Sequence, residues 1–159
     1  MKKIGFLIRL HKEGRLKFTE PSEVVKDSYL GKSESHLESA KLLMEHDKLE
    51  EATSTAYYSM YHMTLALFFK VGIKCENHTG AIIMLDALFG IDNKPISEAK
   101  KERIDKQYYI DFSIAREEVE ELITATENFN ATMLDFIERL NSEKMEKYRK
   151  NLRKMLSGS

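Results

Sequence analysis

The stretch from Ala56 to Phe69 constrains the fold more than any other feature of the chain. Its apolar and aromatic residues recur at helical spacing on nearly every side. Tyr57, Tyr61, Leu65 and Phe68 form one stripe, and Ala56, Met60, Met63 and Leu67 form the next. A helix of a soluble protein that is apolar all round is surrounded by other helices, because a surface helix keeps one polar face. The sequence therefore predicts a central helix that begins near Leu49 and ends at Gly72 in a left-handed cap.

The composition favours helices throughout the chain. Among 159 residues there are only two prolines and seven glycines, whereas Leu, Ala, Met, Glu and Lys are plentiful. Apolar periodicity and capping residues predict helices over about 22–47, 49–72, 79–89 and 97–109, a fifth that restarts near Ser113, and a last one over 142–156. Asp92–Pro95 has the chemistry of a turn, and no β alternation is visible. We expect an all-α fold: an up-and-down antiparallel bundle of about five to six helices.

Positive charge is concentrated at the two ends of the chain. Residues 1–18 carry a net charge of +5 and residues 142–159 a net charge of +4, which leaves −10 on residues 19–141. The basic ends can bind phosphate backbones, dock on the acidic body or on a partner subunit, or remain solvated. We expect three parts: a basic N-terminal arm (1–19), a helical bundle (20–140), and a basic C-terminal helix with a frayed tail (141–159).

Several classes of protein are excluded by simple tests. The apolar run Ile4–Leu10 contains an arginine and precedes no small-residue cleavage site, so it fails the signal-peptide template. The stretch 56–69 is too short to span a bilayer. We therefore expect a cytoplasmic protein with no membrane contact. The single Cys75 excludes an internal disulfide, and its charged neighbours indicate an exposed loop. The five histidines lack metal-site spacing, so no metal or other cofactor is expected.

The segment that begins at Arg103 carries the sharpest chemical hypothesis. On a helix, Arg103 and Gln107 lie one turn apart on one face. A guanidinium there can bind phosphate in bidentate fashion, and Tyr108 offers a ring for a base and a hydroxyl. The pattern fits a nucleotide or RNA contact. The alternative is structural, with Arg103 paired to a neighbouring acid such as Asp105 and Tyr108 in the core.

Two histidines are further candidates. His62 is polar on a mostly buried helix, and three interpretations compete: a core histidine satisfied by a hydrogen bond, an interface residue, or a residue of a nucleotide site. His78 stands at the start of the third predicted helix, where it can cap that helix or pack against the second one. The sequence leaves these alternatives open.

Several short motifs follow one another between residues 20 and 140. They are Glu20-Pro21-Ser22, Ala40-Lys41-Leu42-Leu43, Ala56-Tyr57-Tyr58-Ser59-Met60-Tyr61-His62, His78-Thr79-Gly80, Arg103 leading to Gln107-Tyr108-Tyr109, and Glu117-Glu118-Val119-Glu120-Glu121-Leu122-Ile123. In this order and spacing they resemble the HEPN domain, a small all-helical family, in its uncharacterised archaeal and bacterial branch.

The resemblance implies both a class of activity and a departure from it. HEPN proteins commonly form homodimers, and many are metal-independent endoribonucleases in toxin–antitoxin, CRISPR or RNA-processing systems. Others bind nucleotide or RNA without cleavage and are often encoded beside a minimal nucleotidyltransferase. The nuclease motif is an Arg followed after four to six residues by a His. Arg103 occupies the Arg position, but residues 108–110 are Tyr, Tyr and Ile, and no His follows Arg103.

The missing His argues against efficient cleavage, because imidazole transfers protons near pH 7 and tyrosine, with a pKa of about 10, is a poor base there. The resemblance thus implies a non-catalytic or weakly active protein that binds nucleotide or RNA through Arg103, Gln107 and Tyr108, with a nucleotidyltransferase as its partner. The alternatives are an endoribonuclease toxin in which Tyr108 or Tyr109 replaces the His, and a structural interaction subunit. Because partner nucleotidyltransferases in related systems attach AMP to a tyrosine near the motif, Tyr108 and Tyr109 are also candidates for modification.

Overall fold

The computed structural model describes residues 2–108 and 114–158, without the side chains of residues 105–108. The elements, in chain order, are α1 (Lys2–Lys12), β1 (Leu16–Phe18), α2 (Glu23–Glu45), α3 (Leu49–Val71), β2 (Ile73–Cys75), α4 (His78–Ala87), α5 (Lys94–Tyr108), α6 (Arg116–Glu138) and α7 (Ser142–Leu156). The prediction of an all-α fold is confirmed. The described residues form seven helices, compared with the five to six expected, and one short sheet.

Helix α3 is the centre of the bundle, as its sequence predicts. Tyr57, Met60 and Phe68 are fully buried, and α3 packs against α2, α5 and α6 along its length. The helix ends at Gly72, whose backbone is left-handed (φ 91°) and whose N–H donates to the Phe68 carbonyl. Although α3 is the most apolar long helix, no helix in the described part of the chain is long and apolar enough to cross a membrane.

The two-stranded sheet was not expected. Strands β1 and β2 pair antiparallel, with Leu16 opposite Cys75 and Phe18 opposite Ile73. The prediction that Cys75 lies in an exposed loop is wrong, because this residue is 5% exposed in β2 and its thiol donates to the Asn77 carbonyl. Burial raises the pKa of the Cys75 thiol, so the residue is an inert part of the core.

Both basic ends of the chain pack on the body of the protein. Leu7 and Leu10 of α1 and Leu152 of α7 are buried in the main core. One guanidinium nitrogen of Arg149 donates to the carbonyls of Thr19 (3.1 Å), Val71 (3.2 Å) and Gly72 (2.8 Å). The same group lies over the Phe18 ring. Arg149 thus ties α7 to the end of α3.

The boundaries of α5 differ from the prediction. The helix begins at Lys94, and Pro95 lies in its first turn, where a missing N–H leaves no helical hydrogen bond unmade. The Asp92 carboxylate accepts from the Lys94 N–H at 3.1 Å. The predicted helix start at Ser97 is therefore three residues late. The predicted restart near Ser113 lies outside the described residues.

Candidate functional site

Rings from three helices meet on one side of α3. We call this group the α3 cluster: Tyr29 and His36 of α2, Tyr57, Tyr58, Tyr61 and His62 of α3, and His78 of α4. Helical geometry builds its centre, because residues 57 and 61, and likewise 58 and 62, lie one turn apart. The rings form a continuous series of contacts, the closest being the stack of Tyr61 on His78, with centroids 3.9 Å apart.

Arg103 of α5 joins the α3 cluster. Its guanidinium carbon lies 5.4 Å from the ring centroid of Tyr57 and 5.4 Å from that of Tyr58. These distances are within the range of attraction between a cation and an aromatic face. One turn earlier, the Lys100 ammonium donates to the Thr79 hydroxyl at 3.1 Å. Two cations of α5 therefore lie against α3 and the first turn of α4.

His78 packs against α3 and does not cap α4. The cap is Asn77, whose side-chain oxygen accepts from the Gly80 N–H at 2.8 Å. Nδ1 of His78 lies 2.7 Å from the hydroxyl of Tyr57. Burial, followed by the charges of Arg103 and Lys100, lowers the pKa of His78, so the imidazole is neutral at pH 7. Burial raises the pKa of Tyr57, so its hydroxyl keeps its proton.

His62 lies at the α2 side of the cluster, with its ring centroid 4.7 Å from that of His36 and 5.7 Å from that of Tyr29. Its Nδ1 is buried and has no hydrogen-bond partner among the described residues. Burial, with smaller effects of the charges of His36 and Lys32, lowers the pKa of His62 to about 4. Tyr58 separates His62 from Arg103, since it contacts both.

The remaining predicted site residues belong to the segment after Arg103. The backbone of α5 continues through Gln107 and Tyr108, so their helical spacing from Arg103 is as expected. Their side chains are not described, and Tyr109 lies outside the described residues. The contacts predicted for these three residues stay predictions.

Sequence reasoning missed Tyr57, Tyr58 and Lys100. Tyr57 was predicted to lie in the core, and it does. Its hydroxyl also contacts His78, and its ring also contacts Arg103. The available signal was the run of hydroxyl-bearing aromatics one turn before Tyr61 and His62 on an otherwise apolar helix. Lys100 carried a signal too, since it precedes Arg103 by three residues and shares its helix face.

The chemistry of this arrangement suits an anion. Two cations lie beside a neutral imidazole and a protonated hydroxyl, and Thr79 at the edge is exposed. Within the described ranges, no three His, Cys, Asp or Glu side chains are grouped so that they could hold a metal ion. The Lys100 ammonium and the Thr79 hydroxyl are donors of the kind that phosphate oxygens accept.

The comparison with known proteins identifies the class. The model of the HEPN domain matches residues 27–137, which is well over half of the chain, so the chain belongs to the HEPN family. The chain is also 42% identical over 69 residues to UPF0332 protein PH1297 of Pyrococcus horikoshii. That alignment covers 43% of this chain and 47% of the relative, so the chain spans about half the length of the curated relative it matches. The resemblance inferred from the motifs is confirmed.

Proposed function

We propose that this protein binds the phosphate groups of nucleotide or RNA at Arg103 and Lys100, with little or no cleavage. One observation carries the proposal: the Arg103 guanidinium lies over the rings of Tyr57 and Tyr58. Attraction to two aromatic rings holds the cation in one place beside α3. The donors of a guanidinium form a planar fork that matches phosphate in bidentate fashion, so an arginine positioned in this way suits the recognition of phosphate.

Lys100 adds a second positive charge to the same site. Its ammonium is held by the hydroxyl of the exposed residue Thr79, and it lies on the same face of α5 as Arg103. A phosphate at this edge meets a bidentate donor and a point charge together. Gln107 and Tyr108, one turn further along α5, are proposed to contact the base or the ribose.

Membership of the HEPN family supports three further parts of the proposal. The protein forms a homodimer, and it works with a minimal nucleotidyltransferase as its partner. That partner attaches AMP to Tyr108 or Tyr109. Light scattering tests the first part. Mass spectrometry of the chain after incubation with ATP and a nucleotidyltransferase encoded beside it tests the other two.

An endoribonuclease is the second candidate, and one observation favours it. No His follows Arg103 in the sequence, yet His78 of α4 lies against Tyr57, and so does Arg103. An imidazole close to the arginine could supply the proton transfers that the missing motif residue does not.

Binding of a fluorescein-labelled single-stranded RNA, followed by anisotropy in EDTA at two salt concentrations, tests the proposal. Arg103→Ala should weaken binding and reduce the slope of log K against log salt by about 0.7 for each phosphate that the variant no longer neutralises. Arg139→Ala removes the same charge from an exposed position at the end of α6 and is the matched control. It should leave both quantities close to the wild-type values.

Gel analysis of the same samples separates the candidates. Intact RNA together with Arg103-dependent binding supports a binding protein. Cleavage by the wild type that disappears in Arg103→Ala would establish the endoribonuclease instead. If the wild type does not bind RNA or AMP at either salt concentration, the proposal fails and the structural interaction subunit remains.

A further inference from the structure

We infer that Tyr57 fixes His78 in the tautomer that carries its proton on Nε2, and that this Nε2–H donates to the phosphate bound by Arg103 and Lys100. The inference rests on the proposed function and deepens it. His78 becomes a binding residue, and Tyr57 a positioning residue that acts through it.

The buried hydroxyl of Tyr57 decides the direction of the hydrogen bond. Tyr57 is fully buried, and Nδ1 of His78, at 2.7 Å, is the hydrogen-bond partner of its hydroxyl among the described residues. If Nδ1 were the donor, the proton of the hydroxyl would be left unbonded in the core, which native proteins avoid. The hydroxyl therefore donates, Nδ1 accepts, and the imidazole proton is on Nε2.

The surroundings of His78 keep the ring neutral. Three tyrosines of α3 (Tyr57, Tyr58 and Tyr61) face the imidazole, and the cations Lys100 and Arg103 face it from α5. Protonated tyrosines offer no negative charge, and both cations disfavour a third positive charge beside them. A neutral ring whose Nδ1 is occupied as an acceptor has one polar group left to offer, the Nε2–H donor.

His78 lies beside the residues that are proposed to hold the ligand. The ring is half-buried, and no residue of the described part of the chain bonds to Nε2. The next residue, Thr79, is exposed and holds the Lys100 ammonium. A phosphate that touches Lys100 and Arg103 therefore lies beside His78, where it can accept the Nε2–H bond as well.

The tautomer also has a chemical consequence for RNA. An imidazole whose Nδ1 accepts from Tyr57 and whose Nε2 carries a proton has no lone pair left for the proton of a ribose 2′-hydroxyl. His78 in this state binds phosphate but cannot serve as the general base of RNA cleavage. The contact with Tyr57 thus accounts for binding without cleavage at a site that contains both Arg and His.

The tautomer can be read directly from long-range ¹H–¹⁵N correlation spectra of the ¹⁵N-labelled imidazoles at pH 7. The wild type should give the pattern of a neutral ring protonated at Nε2. Tyr57→Phe keeps the ring under Arg103 but lacks the hydroxyl, and it should change that pattern and weaken AMP binding several-fold. Tyr148→Phe removes a tyrosine hydroxyl from α7, outside the α3 cluster, and is the matched control that should change neither.

The outcomes separate this inference from the proposed function. A wild-type His78 protonated at Nδ1, or a Tyr57→Phe variant with unchanged tautomer and affinity, overturns the inference. AMP binding that depends on Arg103 but leaves the Nε2–H resonance unmoved also overturns it, while the proposed function stands. If neither AMP nor RNA binds the wild type, the proposed function fails and this inference fails with it.

Discussion

Arg149 provides the sharpest test of how the basic C-terminal helix is used. If α7 is fixed to the body through this side chain, Arg149→Ala should destabilise the whole domain. One guanidinium nitrogen donates to three carbonyls at 2.8–3.2 Å, and the side chain is 16% exposed. Its removal leaves carbonyls at the end of α3 and before α2 without this partner.

The expected loss of stability follows from these contacts. Hydrogen bonds to a charged group contribute roughly 1.5–3 kcal/mol, and the cation over Phe18 adds about 0.5–1 kcal/mol. Because the contacts share one side chain and are not additive, we expect a total decrease of about 3 kcal/mol in the free energy of unfolding. For a domain of this size that corresponds to a fall in melting temperature of about 6–12 °C.

Urea unfolding followed by circular dichroism at 222 nm measures this decrease. Lys150→Ala removes a positive charge from an exposed position next to Arg149 on the same helix, and it should change stability by less than about 0.5 kcal/mol. Arg149→Lys should fall between, since an ammonium is a point charge and lacks the planar fork of donors. If Arg149→Ala is no less stable than Lys150→Ala, the docking of α7 by this residue is refuted.

Three further predictions concern single side chains. Binding of single-stranded RNA, whose phosphodiesters keep their charge in this range, should strengthen as the pH falls from 7 toward 5. The reason is that a bound anion favours the imidazolium of His78, whose pKa is lowered in the free protein. Fluorescence anisotropy of the wild type and of His78→Gln checks this, and the variant should lack the effect. The free energy of unfolding should fall as the pH drops from 6.5 toward 4, because His62 takes up a proton more readily in the unfolded state than in the folded state. Urea titrations at several pH values check this, and the free energy of His62→Gln should depend less on pH than that of the wild type. Cys75 should react with a thiol reagent in urea but not in the native protein, and a rapid native reaction would contradict its burial.

The sequence predicts a helix best where a long apolar segment has clear signals at its ends. Helix α3 carries apolar residues on every face, and its predicted limits agree closely with Leu49–Val71. The sheet could not be predicted, because three residues such as Leu16–Phe18 are too few to display an alternating pattern. Helix α1 was missed for a different reason. Its segment is amphipathic, with Leu7 and Leu10 on the buried face, but its positive charge led to its interpretation as a basic arm.

In the candidate site, too, some features could be predicted from the sequence and others could not. Arg103 was identified from its own chemistry and from the family pattern around it. Its contacts with Tyr57 and Tyr58 join α5 to α3 across a long stretch of chain, and one sequence gives no information about such pairs. The same holds for His78, whose neighbour Tyr57 is reached only when α4 folds back onto α3. The chemical role of a single residue such as Arg103 can therefore be predicted from the residues around it in the sequence. The contacts that bring site residues together depend on tertiary packing.

The pairing of early and late segments has a consequence for how the chain folds during its synthesis. Helix α1 packs against α4 and α7, and Arg149 bonds to Thr19 across 130 residues. Helix α1 is thus synthesised well before α7, against which it packs, and contacts of such long range form slowly. About 140 residues separate Leu10 from Leu152 of α7, which corresponds to roughly 7–30 s at bacterial and eukaryotic rates of synthesis. During that interval the nascent chain exposes an apolar surface that the finished protein hides, and a chaperone that binds early apolar segments would find it there.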